Sequence, residues 1–294
     1  MNGAPGDAPP PGRAGDSGAP QPARTLRAAC VQLNTAADTA ANVVAAAGLV
    51  REAAAAGAHL IVLPETWAFK GRRAGILGSA EPVDGPSNAV LRGLAAELGV
   101  FVLAGSHYEP SPYPDRVYNT SALFGPEGGL VAAYRKIHLF DAVSGTTVYR
   151  ESDVLTPGAE IVTAEVDGVT VGLTVCYDLR FPELYSALAL RGAEVLLVPA
   201  AFTHFTGAAH WEVLLRARAI ENGCFVVAPD QTGTHLPERR CFGHSMIVDP
   251  WGTVLARLDE EVGVCLADLD LEALVRVREQ IPSLAGRRPE VYRA

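Results

Sequence analysis

Cys176 is the residue most open to a chemical reading. An apolar run at 169–175 reads as a strand that delivers the chain to this cysteine. Pro182 then opens a helix through Leu190, because proline suits a first helical turn. A strand-to-helix corner presents its side chain outward and aims backbone N–H groups at an anion. The helix N-terminus would also favour a thiolate. A cysteine taken alone is more often a small buried hydrophobe, but the polar flank Tyr177-Asp178-Leu179-Arg180 argues against simple core filling. A thiol nucleophile needs a base. No histidine is placed by spacing to serve. Glu65 is: it follows the aliphatic run at 59–63, at the C-terminal end of a buried strand, where α/β proteins build their sites. Half desolvated there, its pKa would rise towards the range of a general base. Lys136, in Tyr134-Arg135-Lys136-Ile137-His138, and Glu151 read by themselves as ordinary surface charges.

The elements that must position these residues follow from hydrophobic periodicity. Strands are expected at 26–33, 59–63 and 100–105, helices at 42–56 and 88–98, and a hairpin from 121–124 and 130–135 around Gly125-Pro126-Glu127-Gly128. The mixed polarity of 141–158 reads as a loop. His210 and Trp211 read as opening a later helix, in packing roles. The second half repeats the first. The run at 57–64 is echoed at 192–199, and Ala200 stands where the first half has Glu65, so the scaffold does not itself require a carboxylate there. Phe101 to Phe225 and Gly125 to Asp249 are both separated by 124 residues, a shared register that points to an internal duplication. Two such halves, each a sheet with helices to cover it, can stack as a four-layer α-β-β-α sandwich. The hairpin after each α/β stretch disfavours the competing single doubly wound sheet.

Composition narrows the rest. Of 294 residues, 49% are hydrophobic and 19% charged, as in a soluble globular protein. A net charge of −9 disfavours nucleic acid as a partner, though it leaves room for a local basic pocket. No apolar run is long enough to span a bilayer. Residues 1–24 lack Leu, Ile, Val, Phe, Tyr and Trp and read as a disordered N-terminal tail, with one domain over 25–294. The tail has no apolar core of a secretory signal. Five widely spaced cysteines without a CxxC suggest neither a disulfide framework nor a zinc knuckle, and a reducing, cytoplasmic setting.

Three separated segments carry a resemblance. Leu63-Pro64-Glu65, Tyr134-Arg135-Lys136 and Cys176-Tyr177-Asp178-Leu179-Arg180-Phe181-Pro182-Glu183 resemble, in order, the signature segments of the nitrilase superfamily of carbon–nitrogen hydrolases, and the likeness runs from about 26 to 292. The resemblance implies an α-β-β-α sandwich and a catalytic triad of Glu65, Lys136 and Cys176, with Glu151 supporting the lysine. It implies amide hydrolysis through a cysteine thioester with release of ammonia, without metal or organic cofactor. Lys136 and the Tyr177 backbone N–H would hold the oxyanion. Residues 201–221 and 243–252 resemble the Nit branch, which contains deaminated-glutathione amidase and ω-amidase acting on α-ketoglutaramate; 201–221 is closer to the former.

Both substrates join an amide to carboxylates. Arg180 would clamp such a carboxylate bidentately, or would pair structurally with Asp178 or Glu183. Thr203 is a weaker candidate for the pocket lining. The segments 182–190 and 281–292 resemble those that pair subunits in this family, so a homodimer is expected. Other classes remain open. A thiol redox protein would want a resolving cysteine near Cys176, and none is close. A catalytically inactive interaction protein would be expected to have lost a triad member. A nitrilase proper would keep the same triad, and only nitrile and amide assays separate it.

Overall fold

The computed structural model describes residues 24–236 and 239–292. The tail expected at 1–24 therefore lies outside the described residues save for Arg24, whose carbonyl accepts a hydrogen bond from the Leu271 N–H at 2.9 Å.

Two mixed sheets form the centre. The first has the order Gly263–Asp270, Thr25–Gln32, Leu60–Val62, Phe101–Leu103 and Val117–Phe124, with His107–Pro110 and Leu130–Arg135 also on Val117–Phe124. The second runs Val254–Arg257, Met246–Val248, Phe225–Ala228, Val195–Leu197, Val169–Leu173 and Thr163–Val166. The expected duplication is visible in these orders. In each sheet three parallel strands follow one another, and the third pairs antiparallel with the first arm of a hairpin. The last strand closes the chain on itself, since Gly263–Asp270 pairs along the whole of Thr25–Gln32.

Side-chain alternation explains the stacking. Along a strand, neighbours point to opposite faces. Ala28, Cys30, Leu60 and Val62 join a cluster that includes Val171, Leu173 and Leu197 of the second sheet. Their neighbours Ala29, Val31, Ile61 and Leu63 join Ala46, Val50, Leu91 and Leu94 of the helices Thr39–Ala55 and Pro86–Leu98. The helices Pro182–Leu190 and His204–Asn222 cover the second sheet through Leu184, Leu188, Trp211 and Leu215. Both faces of each sheet are thus buried, and the order of layers is α-β-β-α, as the sequence implies. Each fully buried aliphatic side chain contributes roughly 1.5–3 kcal/mol, so a charge at Val50 or Leu91 would separate helix from sheet.

Several boundaries differ from expectation. The first helix begins at Thr39 because the Asp38 side chain accepts from the Ala41 N–H at 3.1 Å and caps it. His204 opens the long helix, so His210 and Trp211 lie inside it; Trp211 is buried and packed, as its expected role requires. The segment read as a loop at 141–158 is instead a hairpin, Asp141–Ser144 with Thr147–Arg150, followed by a 3-10 turn at Glu151–Asp153. Its two strands are four residues each, and their apolar Val143 and Val148 face solvent. No buried alternation therefore marks them, while Gly145, with φ +61°, permits the two-residue turn. A second small hairpin, Thr232–Leu236 with Arg239–Phe242, lines one cavity together with Tyr149 and Arg150 of the first.

Candidate active site

The corner at Cys176 has the backbone of a strained elbow. Cys176 adopts φ +49°, a left-handed conformation that is unfavourable for a residue with a Cβ. Two anchors hold it there. Its N–H donates to the Pro199 carbonyl at 2.8 Å. Asp178, fully buried, accepts from the Val175 N–H at 2.8 Å and from the Tyr134 hydroxyl at 2.7 Å, and its other oxygen accepts from the His138 N–H at 3.1 Å and faces His138 Nδ1 at 2.7 Å. Asp178 thus ties the Cys176 corner to the segment that carries Lys136. It does not pair with Arg180.

Glu65 and Lys136 meet beside Cys176. Lys136 is 1% exposed and donates to Glu65 Oε1 at 2.9 Å and to Glu151 Oε2 at 2.8 Å. Glu65 Oε1 also accepts from Asn119 Nδ2 at 2.8 Å, and its Oε2 accepts from the Ala201 N–H at 3.0 Å. Glu151 Oε2 accepts in addition from the Phe140 N–H at 2.8 Å. Every hydrogen bond to Glu65 favours its charged form.

The charges follow from these contacts. Burial pushes Glu65 up, but Lys136, Lys70 and the hydrogen bonds outweigh it, so its pKa lies below the usual carboxylate value. The expectation that desolvation would lift it is corrected here, because a lone half-buried carboxylate is not what the fold provides. Burial pulls Lys136 down, yet the flanking Glu151 and Glu65 hold it well above the usual value and so cationic. Burial and the neighbouring Glu65 push the Cys176 thiol well up. The resting pair is therefore thiol and carboxylate, rather than the expected thiolate. Nor does the side chain point outward: Cys176 is 8% exposed and forms part of a cavity wall.

That cavity holds about 450 Å³. Glu65, Cys176, Tyr177, Arg180, Thr203 and Glu151 all line it, which brings every expected site residue to one place save Lys136, which lies behind Glu65 and Glu151. Tyr177 follows Cys176 in the 3-10 turn Cys176–Arg180, whose first N–H groups have no acceptor within the turn. Arg180 makes no ion pair with Asp178 or Glu183. Its guanidinium lies 3.3 Å from His210 Nδ1 and over the Phe202 ring at 5.1 Å. Thr203 shares hydroxyl contacts with Ser144 at 2.7 Å and Thr206 at 2.8 Å. Seven lysines and arginines line the cavity against three carboxylates, Glu65, Glu151 and Asp153. An acidic protein thus has a basic pocket, suited to an anionic small molecule.

The family model for carbon–nitrogen hydrolases matches residues 27–279. The chain belongs to the carbon–nitrogen hydrolase family. The human deaminated glutathione amidase is 44% identical over 273 residues, covering 91% of this hydrolase and 83% of the relative. The omega-amidase of Mus musculus is 38% identical, covering 91% and 97%. Among solved structures, a variant of the Nesterenkonia sp. AN1 amidase superposes with a TM-score of 0.77 at 29% identity, covering 91% of this hydrolase and 98% of that chain. There, acrylamide has added to the active-site cysteine. The hydrolase is thus an amidohydrolase of the nitrilase superfamily with a cysteine nucleophile, in its Nit branch. Among the described residues, no helix is long and apolar enough to cross a membrane.

Sequence reading missed Asn119, the Ala201 N–H and the bracing role of Asp178. Asn119 had one available signal: continuing the expected hairpin register two residues back from Ser121 opposite Tyr134 sets it opposite Lys136, whose N–H its carbonyl accepts at 2.9 Å.

Proposed function

We propose that Cys176, Glu65 and Lys136 form the catalytic triad, with Glu151 as support, and that the substrate is deaminated glutathione. The observation that carries the triad is the buried Glu65–Lys136–Glu151 cluster beside Cys176 in one cavity. In this reading Glu65 takes the thiol proton as Sγ attacks the amide carbon. Lys136 and the Tyr177 N–H stabilise the oxyanion, a contribution of about 100-fold or more per donor. The C–N bond breaks as Glu65 returns the proton to the leaving nitrogen. Glu65 then deprotonates water, which cleaves the thioester and frees the acid and the thiol.

Arg180 would bind the carboxylate of the acyl part, and Thr203 would line the same end. The substrate choice is supported by the human relative at 44% identity and by the basic cavity. Glutathione contains only secondary amides, so its deaminated form would release an amine; the expected ammonia would come from a primary amide such as α-ketoglutaramate. That second substrate is favoured by the 38% identity to omega-amidase. We further propose a homodimer, supported by exposed Leu190, Ile281, Val291 and Tyr292 on the two segments expected to pair, and a cytoplasmic setting, supported by five free cysteines.

The test compares purified protein on deaminated glutathione, α-ketoglutaramate and a nitrile, following acid, amine and ammonia. Deaminated glutathione should lead by at least about tenfold in kcat/KM, and Cys176→Ala should abolish turnover of all. A clear lead for α-ketoglutaramate overturns the substrate, and full turnover by Cys176→Ala overturns the triad.

A further inference from the structure

We infer that Arg239 is a second carboxylate-binding residue, one that holds the departing amine half of the substrate. The inference rests on the proposed cleavage of deaminated glutathione. Arg239 opens the strand Arg239–Phe242 and lines the cavity with Cys176. Its guanidinium lies over the Tyr149 ring at 5.1 Å. Its Nε is buried without a hydrogen-bond partner, and no carboxylate of a described residue pairs with it. Two other arginines of the cavity are engaged: Arg240 pairs with Glu260, and Arg73 donates to the Asp153 carbonyl at 2.7 Å. A buried, unsatisfied guanidinium donor is costly unless something fills it. A planar fork stacked on an aromatic ring is preorganised for a carboxylate.

Its position assigns the half of the substrate it would meet. A run of rings joins the two guanidinium groups along one wall: Arg239 on Tyr149, Tyr149 against Phe140 at 5.1 Å, Phe140 against Tyr177 at 5.0 Å, and Arg180 over Tyr177 at 6.0 Å. Cys176 precedes Tyr177 in the chain, so the nucleophile lies at the Arg180 end of this wall. An amide carbonyl seated on Cys176 sends its acyl part and its amine part in opposite directions. The short acyl part, with its own carboxylate, fits the near clamp at Arg180. The longer amine part, a dipeptide ending in a carboxylate, reaches towards Arg239. A primary amide has nothing to offer there. Arg239 would therefore separate amides with an anionic leaving group from primary amides of the same acid.

The experiment uses two substrates with one acyl group, deaminated glutathione and α-ketoglutaramate. The ratio of their kcat/KM values is measured for the wild type, Arg239→Gln and Arg239→Lys, with thermal melts to confirm folding. Arg239→Gln should lower the ratio roughly 10- to 100-fold, chiefly through KM. Arg239→Lys, which keeps the charge without the fork, should fall between. An unchanged ratio in folded Arg239→Gln overturns the assignment, as does an equal loss on both substrates, which would place Arg239 at the acyl end or in the scaffold. If Arg239→Gln does not fold, the Lys variant decides alone, and a wild-type ratio there overturns the assignment. A wild type that cleaves only α-ketoglutaramate sinks the proposed substrate and this inference together, whereas a wild type that prefers deaminated glutathione with an unmoved variant ratio sinks this inference only.

Discussion

At the scale of the residue, the site depends on where one proton sits. Glu65 is held towards its ionised form and Cys176 towards its thiol, so in the proposed mechanism the proton passes to Glu65 only as a carbonyl is attacked. Glu65→Gln keeps the shape and removes the proposed base. It should lower kcat by about 100- to 10,000-fold while the protein still folds. Because the Glu65 pKa is lowered, the wild-type acidic limb of kcat/KM should fall below the usual carboxylate value of 4.5. The linked stability has the same sign: a lowered acid pKa stabilises the fold above the unfolded value, and this is lost as pH falls through the folded one. A pH–rate profile with its acidic limb near 6 would contradict this charge assignment. The sequence singled out Glu65, Lys136 and Cys176 as candidates because each is a reactive side chain inside a recognisable segment, while Glu151 came from the resemblance alone. It concealed the Ala201 N–H, since a backbone donor has no residue signature and this one lies 136 positions from its acceptor. It concealed the charge states for a related reason. Whether burial or a partner wins depends on distances that only the fold supplies.

At the scale of the element, strand ends and their turns place the chemistry. Glu65 follows Leu60–Val62, and the next parallel strand, Phe101–Leu103, passes into Gly105 beside it. Gly105 has φ +39°, and a Cβ there would sit 1.9 Å from the Pro64 carbonyl oxygen. That oxygen belongs to rigid backbone one residue before Glu65. Gly105→Ala should therefore displace the Glu65 turn and destabilise the protein by on the order of 3 kcal/mol, seen as a lowered melting temperature together with lost activity. A wild-type melt for this variant would show that the turn is not constrained as described. The parallel strands and main helices were legible because two-sided burial writes long apolar runs. The hairpin Asp141–Ser144 with Thr147–Arg150 was not, because its valines face solvent and only Gly145 marked its turn. Yet this hairpin leads directly into Glu151 and contributes Tyr149 to the cavity wall.

At the scale of the whole molecule, charge is distributed against its own average. The chain carries −9 overall, while its cavity is lined by more cations than anions. The proposed carboxylate-bearing substrate would cross a repelling outer field to reach an attracting interior. Salt screens the outer charges over about 10 Å at 0.1 M and about 3 Å at 1 M. Buried pairs such as Lys136 with Glu65 are screened least. Raising salt over that range should change kcat/KM for an anionic amide several-fold and leave a neutral amide nearly untouched. Equal responses for both would place the field effect elsewhere than at substrate capture. The sandwich itself was legible from the repeated register of 124 residues, since duplication acts on the whole chain and survives the loss of local detail. That the last strand returns to pair with the first was not legible, because nothing in Gly263–Asp270 names its partner.

The left-handed backbone of Cys176 bears on how far this protein is from its own stability optimum. A Cβ at φ +49° is a standing strain that folding does not require and that the proposed role of Cys176 as nucleophile would explain. Glycine relieves it without needing any other change. Cys176→Gly should be about 1 kcal/mol more stable than Cys176→Ala, and both should be inactive. Matched chemical-denaturation curves for the two variants would measure it, and an alanine variant at least as stable as the glycine one would refute it. The difference between those curves would give the conformational tension that the chain retains at one position while Cys176 lines the cavity.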